Sequence, residues 1–276
     1  MADDVSHTVY PDTDGSGARL TELDRQQWRF AQEAVVDVYI PSQFYYDHPF
    51  KLGTVGKGRK RVRNTCDRFI LDSGISDPSI TNEDVIDAAD QLNADYVVPK
   101  DYLHKQDETT DSVSEFFDLY ADSGVDATVL VPLQPPHVPH LDDLPDADAY
   151  CVGGIAKAPP EDQLQALRDV RDAVGDGVYL HGLGFGLNTA FIRAVRQQPT
   201  LVDSIDMATV EQAVKGGEVR DKWGEGQSFA YPTGDKSSIV RQSFSQAMLT
   251  MYCYMLTDHC EDEAVQPVDT QLSDWV

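Results

Sequence analysis

Apolar and polar positions along the chain follow two rhythms. Seven short runs are apolar on both faces: "VVDVYIP" (35–41), "RFILDSG" (68–74), "ADYVVPKD" (94–101), "DATVLVPLQ" (126–134), "AYCVGG" (149–154), "VYLHGLGFG" (178–186) and "LVDSIDM" (201–207). Between them lie "NEDVIDAADQLN", "TDSVSEFFDLYADSG", "EDQLQALRDVRDAVG" and "NTAFIRAVRQQ", whose apolar residues recur every three or four positions. Several of these open on Asn, Thr or Asp, as helix caps do. Strands apolar on both faces and separated by helices predict a parallel sheet covered by helices. Seven such strands in one chain of 276 residues predict a TIM-type (β/α)8 barrel. The eighth strand is assigned to "QSFAYPT" (227–233), and a helix from about Ser237 to Asp258 closes the ring. The expected organisation is a loose polar arm over 1–25, one barrel over 26–260 and an acidic tail over 261–276.

Composition changes the picture in one respect. Apolar residues are 41% of the chain, ample for a core, but 47 acids against 22 bases leave a formal charge of −25 spread along its length. Such a surface repels nucleic acid on average. It suits a salt-rich cytoplasm, where screening shortens to about 3 Å at molar salt and relieves self-repulsion. The acidic opening "MADDVSHTVY" lacks a signal peptide's apolar core, and no apolar run is long enough to span a membrane. Cys66, Cys151, Cys253 and Cys260 are scattered, as reduced cytoplasmic thiols are. Cys253, His259 and Cys260 sit close together, but within an amphipathic helix their spacing favours burial over zinc ligation.

Candidate chemistry gathers at the ends of the apolar runs: Asp72, Asp101, Gln134, Gly153 with Gly154, His181 with the glycines after it, and Asp203 with Asp206. In a parallel barrel these ends share the face that carries the active site. A single strand-end Asp commonly caps a helix, and a histidine in an apolar strand is commonly a core residue. Several polar ends in succession point instead to a carboxylate-driven barrel enzyme. Two carboxylates flanking one ligand are what glycosidic bond exchange requires, one as nucleophile and one as proton shuttle. An amide beside a carboxylate can read a purine edge, and glycines let a flat base approach the main chain.

The same segments resemble, in order, those of the tRNA-guanine transglycosylase superfamily. "LDSG" (71–74) is similar to the family's DSGG segment, which implies a general acid/base at Asp72 with Ser73 beside the base. "ADYVVPKD" and "VLVPLQ" resemble the strands that end in base-reading residues, here Asp101 and Gln134. "YCVGGIAKAP" (150–159) is similar to the VGGLA segment, implying base contacts from Gly153, Gly154 and Ile155, and "YLHGLGFG" resembles the YLMGVG strand. "VDSIDMATV" (202–210) aligns with the segment bearing the nucleophile, which falls on Asp206, with Asp203 the alternative three residues away. The likeness spans about Phe69 to Val210. The chain departs from the pattern at Ile75, at "QPPHVPH" and in lacking the C-x-C-x-x-C zinc cluster. The resemblance therefore implies a compact, zinc-less member, most like the phage and bacterial relatives that exchange guanine in DNA for a free 7-deazaguanine base, and the acid-rich composition points to a halophilic archaeon or its virus as the source. It implies no cofactor.

One segment breaks the acidity. "KLGTVGKGRKRVRN" (51–64) holds Lys51, Lys57, Arg59, Lys60, Arg61 and Arg63 with no acid between them, six of the 22 bases. The expectation is a loop gripping phosphates through Lys57, Arg59, Lys60, Arg61 and Arg63, a solvated basic loop being the plain alternative. The target base must then flip out or be single-stranded, with Tyr45, Tyr46 and Phe50 available either for stacking or for packing. Three other readings stand beside DNA base exchange: the same exchange on tRNA, a non-catalytic nucleic-acid-binding barrel, and a metal-dependent hydrolase using Asp72, Asp101 and His181.

Overall fold

The computed structural model describes residues 22–42, 47–57, 60–74, 77–186, 188–207, 210, 218–220, 226–228 and 238–261. Helix α1 (Glu22–Glu33) leads into β1 (Asp37–Pro41) and β2 (Phe50–Thr54); the short α2 (Lys60–Arg63) precedes β3 (Arg68–Asp72) and α3 (Asn82–Leu92). There follow β4 (Tyr96–Val97), α4 (Gln106–Ala121), β5 (Thr128–Val129), β6 (Val131–Leu133), α5 (His137–Leu141) and β7 (Ala149–Val152). Then come α6 (Pro160–Val174), β8 (Tyr179–Gly182), α7 (Thr189–Gln197) and β9 (Ser204–Asp206). A small antiparallel pair, β10 (Glu218–Arg220) and β11 (Gly226–Ser228), precedes the long α8 (Ser238–Met255).

Strands β1 to β9 form one parallel sheet in the order β5-β4-β3-β2-β1-β9-β8-β7-β6. Its two ends, β5 and β6, are consecutive pieces of one strand separated only by Leu130, whose N–H donates to Val97 O at 2.9 Å. Joined at Leu130, the nine strands make an eight-staved α/β barrel of the TIM type. The eighth stave is β2, four of whose five residues lie inside the expected basic loop, and not the segment around 227–233, where β11 pairs with β10 outside the barrel sheet. That assignment is corrected for a physical reason. "FKLGT" carries a lysine, but Lys51 is fully buried and donates to Thr65 Oγ1 at 2.7 Å. Burial pulls its amine down to about 8. Phe50 packs inside the barrel, its ring 5.5 Å from that of Tyr39. Of the expected arm, residues 22–25 belong to α1 and 1–21 lie outside the described residues, as do Tyr45, Tyr46 and 262–276 of the tail.

Strand parity sets what faces inward. Tyr39, Ile70, Val98, Leu130, Ala149 and Cys151 share one cluster in the interior, with Tyr179 and Leu183 packed against it. Their neighbours Val38, Ile40, Val131, Leu133, Tyr150, Val152, Leu180 and Ile205 pack outward beneath the helices. Period-two alternation therefore carries Asp72, His181, Ser204 and Asp206 inward as well. The caps follow the sequence: Thr81 and Asp84 form a capping box on α3, and Asn188 caps α7 through Phe191 N–H. Asp72 has no part in either cap. Helix α8 lies against α1, and Arg196 donates to the carbonyls of Met255 and Thr257 at 3.0 and 2.9 Å, placing a cation at the helix's negative end. No helix among the described residues is long and apolar enough to cross a membrane.

Candidate active site

At the carboxyl ends of the strands lies a cavity of about 410 Å³. Its lining includes Asp72 from β3, Asp101 from the loop after β4, Gly153 and Gly154 after β7, Gly184 after β8, and Asp206 at the end of β9. Three carboxylates from three separate strand ends thus meet around one space. Leu52, Leu103 and Leu183 supply apolar wall, and His104 and Lys157 stand among the lining.

The acids differ in environment. Burial raises the Asp72 carboxyl to about 7, with the charges of Asp101 and Asp206 adding to the effect and the N–H groups of Gly74 and Ser73 opposing it. Asp101 is also pushed up by burial, to about 6, against the pull of its own backbone N–H and of Gln134. Asp206 accepts a hydrogen bond from Gly184 N–H through Oδ1 at 2.6 Å. Cys151, fully buried on the inner face of β7, is raised well above its ordinary range by burial, then by Asp101, Asp72 and Asp206, so it is a neutral thiol.

Asp203 is excluded from this company. It lies at the opposite end of β9, where Oδ2 pairs with Arg171 at 2.8 Å and accepts Leu180 N–H at 2.8 Å. Three residues of strand cover about 10 Å, and that distance separates the two ends of the stave. Two more ion pairs, Arg68 with Asp37 and Arg63 with Asp95, also stand at this end, where Arg68 opens β3, Asp37 opens β1 and Asp95 precedes β4.

Gln134 and Ile155 stand differently from expectation. Gln134 is fully buried and both ends of its amide are engaged: Nε2 donates to Asp101 Oδ2 at 2.7 Å, and Oε1 accepts His104 N–H at 3.0 Å. It holds Asp101 instead of facing the cavity. The Ile155 carbonyl is occupied by Ala158 N–H and Gln163 Nε2. Ser73 is buried with Oγ unpartnered, beside Asp72 but not on the cavity wall. Gly154 is dictated by the fold, since φ is +76° and a Cβ would stand 2.6 Å from the Pro135 ring.

Two histidines that the sequence reading left unused sit behind this wall. His140 Nδ1 accepts Gln134 N–H at 2.9 Å, and His137 Nε2 donates to Gly153 O at 2.8 Å. Burial lowers both, which keeps them neutral. The run "QPPHVPH" that departs from the family pattern is therefore the brace for Gln134 and Gly153. His104 and Lys157 were also missed; Lys157 lies in "YCVGGIAKAP", where only the glycines and the isoleucine were assigned.

The basic segment divides in three. Thr54 ends β2, so Lys57 is exposed in the turn on the cavity's face of the barrel. Arg59 and the side chains of Lys60 and Arg61 lie outside the described residues. Arg63 is turned to the opposite face: it pairs with Asp95 at 2.9 Å and donates to the carbonyls of Asn93 and Cys66. As a phosphate ligand Arg63 is corrected to a structural tie. None of the four cysteines is in a disulfide and all are buried, and His259 is exposed with its Nε2 3.8 Å from Glu33. Among the described residues no group of His, Cys, Asp or Glu is placed to hold a metal. Compared with known proteins, the chain matches no family model and no curated protein.

Proposed function

We propose that this barrel exchanges guanine in a nucleic acid, DNA in preference to tRNA, for a free 7-deazaguanine base. The observation that carries the reading is the convergence of Asp72, Asp101 and Asp206 on one cavity of about 410 Å³, within the usual range of about 300–1,000 Å³ for small-molecule sites. The ordered family resemblance adds the substrate class.

In the proposed reaction an Asp206 oxygen bonds to the sugar C1′ as the C1′–N bond to guanine breaks. Asp72, raised to about 7, is partly protonated near neutrality and gives its proton to the departing guanine. The incoming base then loses its N–H proton to Asp72 and displaces Asp206, so two inversions return the original configuration. Asp101, held by Gln134, faces the polar edge of the base. The target nucleotide reaches the cavity unstacked.

The test is incubation with labelled guanine or deazaguanine and either DNA or tRNA, followed by nucleoside mass spectrometry. DNA is expected to gain the modified nucleoside. A denatured gel should show a protein–nucleic acid adduct that Asp206→Ala abolishes, and Asp72→Ala should lose turnover. Exchange confined to tRNA selects the runner-up, and normal exchange by Asp206→Ala removes the nucleophile assignment.

A further inference from the structure

Beneath Asp206 the interior holds a histidine that the proposed reaction does not use. His181 is fully buried on the inner face of β8, and its Nε2 has no hydrogen-bond partner. That nitrogen lies 3.6 Å from Asp206 Oδ1. The other ring nitrogen, Nδ1, is 2.7 Å from Ser204 Oγ, its register partner on β9. Ser204 Oγ in turn accepts the Tyr179 hydroxyl at 2.7 Å. Burial pushes the Tyr179 phenol up, so it stays a donor.

The order of donors points to one tautomer. With Tyr179 donating to Ser204, the serine's own hydrogen is free to point at Nδ1, which then acts as acceptor. In that arrangement the ring proton sits on Nε2, the atom aimed at Asp206. A buried N–H without an acceptor is costly, and the carboxylate oxygen beside it is Oδ1, already gripped on its other side by Gly184 N–H at 2.6 Å.

We propose that His181 is a positioning residue for Asp206: its Nε2–H, oriented through Ser204 and Tyr179, closes onto Oδ1 when the cavity fills and leaves Oδ2 free for the reacting carbon. This rests on the base-exchange reading, in which Asp206 is the nucleophile. His181 touches neither base nor sugar. The ring is pre-oriented from below, so the carboxylate is held by two N–H groups without spending either oxygen lone pair that faces the sugar.

The test has two arms. In the kinetic arm, His181→Leu should lower the exchange kcat up to about 100-fold, the scale of cost for a misplaced reacting group, with KM for guanine nearly unchanged. His181→Gln, whose amide can present an N–H at the same place, should recover most of the loss. Unchanged kcat in His181→Leu, a fall confined to KM, or no recovery by His181→Gln overturns the proposal. In the second arm, ¹⁵N spectra of the imidazoles of the whole protein are recorded, with the His181 signals identified by their loss in His181→Gln. The expected state is neutral and protonated on Nε2, with that signal moving in Asp206→Asn and the tautomer mixing in Ser204→Ala. A proton on Nδ1, or indifference to Asp206→Asn, overturns the pairing. If wild-type protein exchanges no base on DNA or tRNA, the base-exchange reading fails, and the imidazole spectra still decide whether His181 serves Asp206.

Discussion

Asp203 and Asp206 belong to one strand segment, yet Asp203 pairs with Arg171 at 2.8 Å at the amino end while Asp206 lines the cavity at the carboxyl end. The Arg171 side chain is 2% exposed and also donates to the carbonyls of Gly175 and Val178. Removing Asp203 strands a buried cation, which costs roughly 1–3 kcal/mol at a half-exposed pair. Asp203→Ala should therefore lower the unfolding midpoint while exchange per folded molecule persists. Asp206→Ala should do the reverse. Paired denaturation and exchange assays separate them.

The buried acids make a signed pH prediction. Burial raises Asp72 to about 7, Asp101 to about 6 and, at the opposite end of the barrel, Asp37 to about 6 against the pull of Arg68. In the folded state these groups hold protons that the unfolded chain has released above about pH 4. Stability is thus greatest at low pH in this window and falls as pH rises from about 4 through 7. Asp72→Asn should stabilise the protein by roughly 1–3 kcal/mol at pH 8 and hardly at all at pH 4. Urea titrations at both values check this, and a gain of equal size at both would contradict it.

Gln134 should matter through Asp101. Gln134→Leu removes the buried donor to Asp101 Oδ2 and the acceptor for His104 N–H. Base affinity, measured by calorimetry with guanine, should weaken by about 1.5–3 kcal/mol, the scale of a hydrogen bond to a charged group. Asp101→Asn should weaken it comparably, and the double variant should add little more, because the pair acts as a unit.

The cations of the basic segment should separate by face. Replacing Lys57, Arg59, Lys60 and Arg61 with Gln should reduce the slope of log affinity against log salt by about 0.7–0.9 per lost phosphate contact, with stability unchanged. Arg63→Ala should cost stability through Asp95 and the Asn93 and Cys66 carbonyls and leave the slope alone. An unchanged slope in the fourfold variant would deprive the segment of its phosphate role.

Periodicity alone determined the alternation of strands and helices, because it reports local burial, and seven staves and the covering helices were read from it. The strand-end positions of Asp72, Asp101 and Asp206 were equally legible, since a buried run that stops on a carboxylate marks the lip of a sheet. Tertiary structure alone decided the rest. Stave β2 was hidden because Lys51 is buried by a hydroxyl 14 residues away, at Thr65. The roles of Asp203, Arg63 and Gln134 depend on which end of the barrel each side chain meets and on partners such as Arg171, Asp95 and Asp101, remote in sequence. His181 reads as any apolar-strand histidine until strand register sets Ser204 against one ring nitrogen and parity turns the other towards Asp206. Residue type and period are local properties of a chain; facing, and therefore chemistry, is a property of closed geometry.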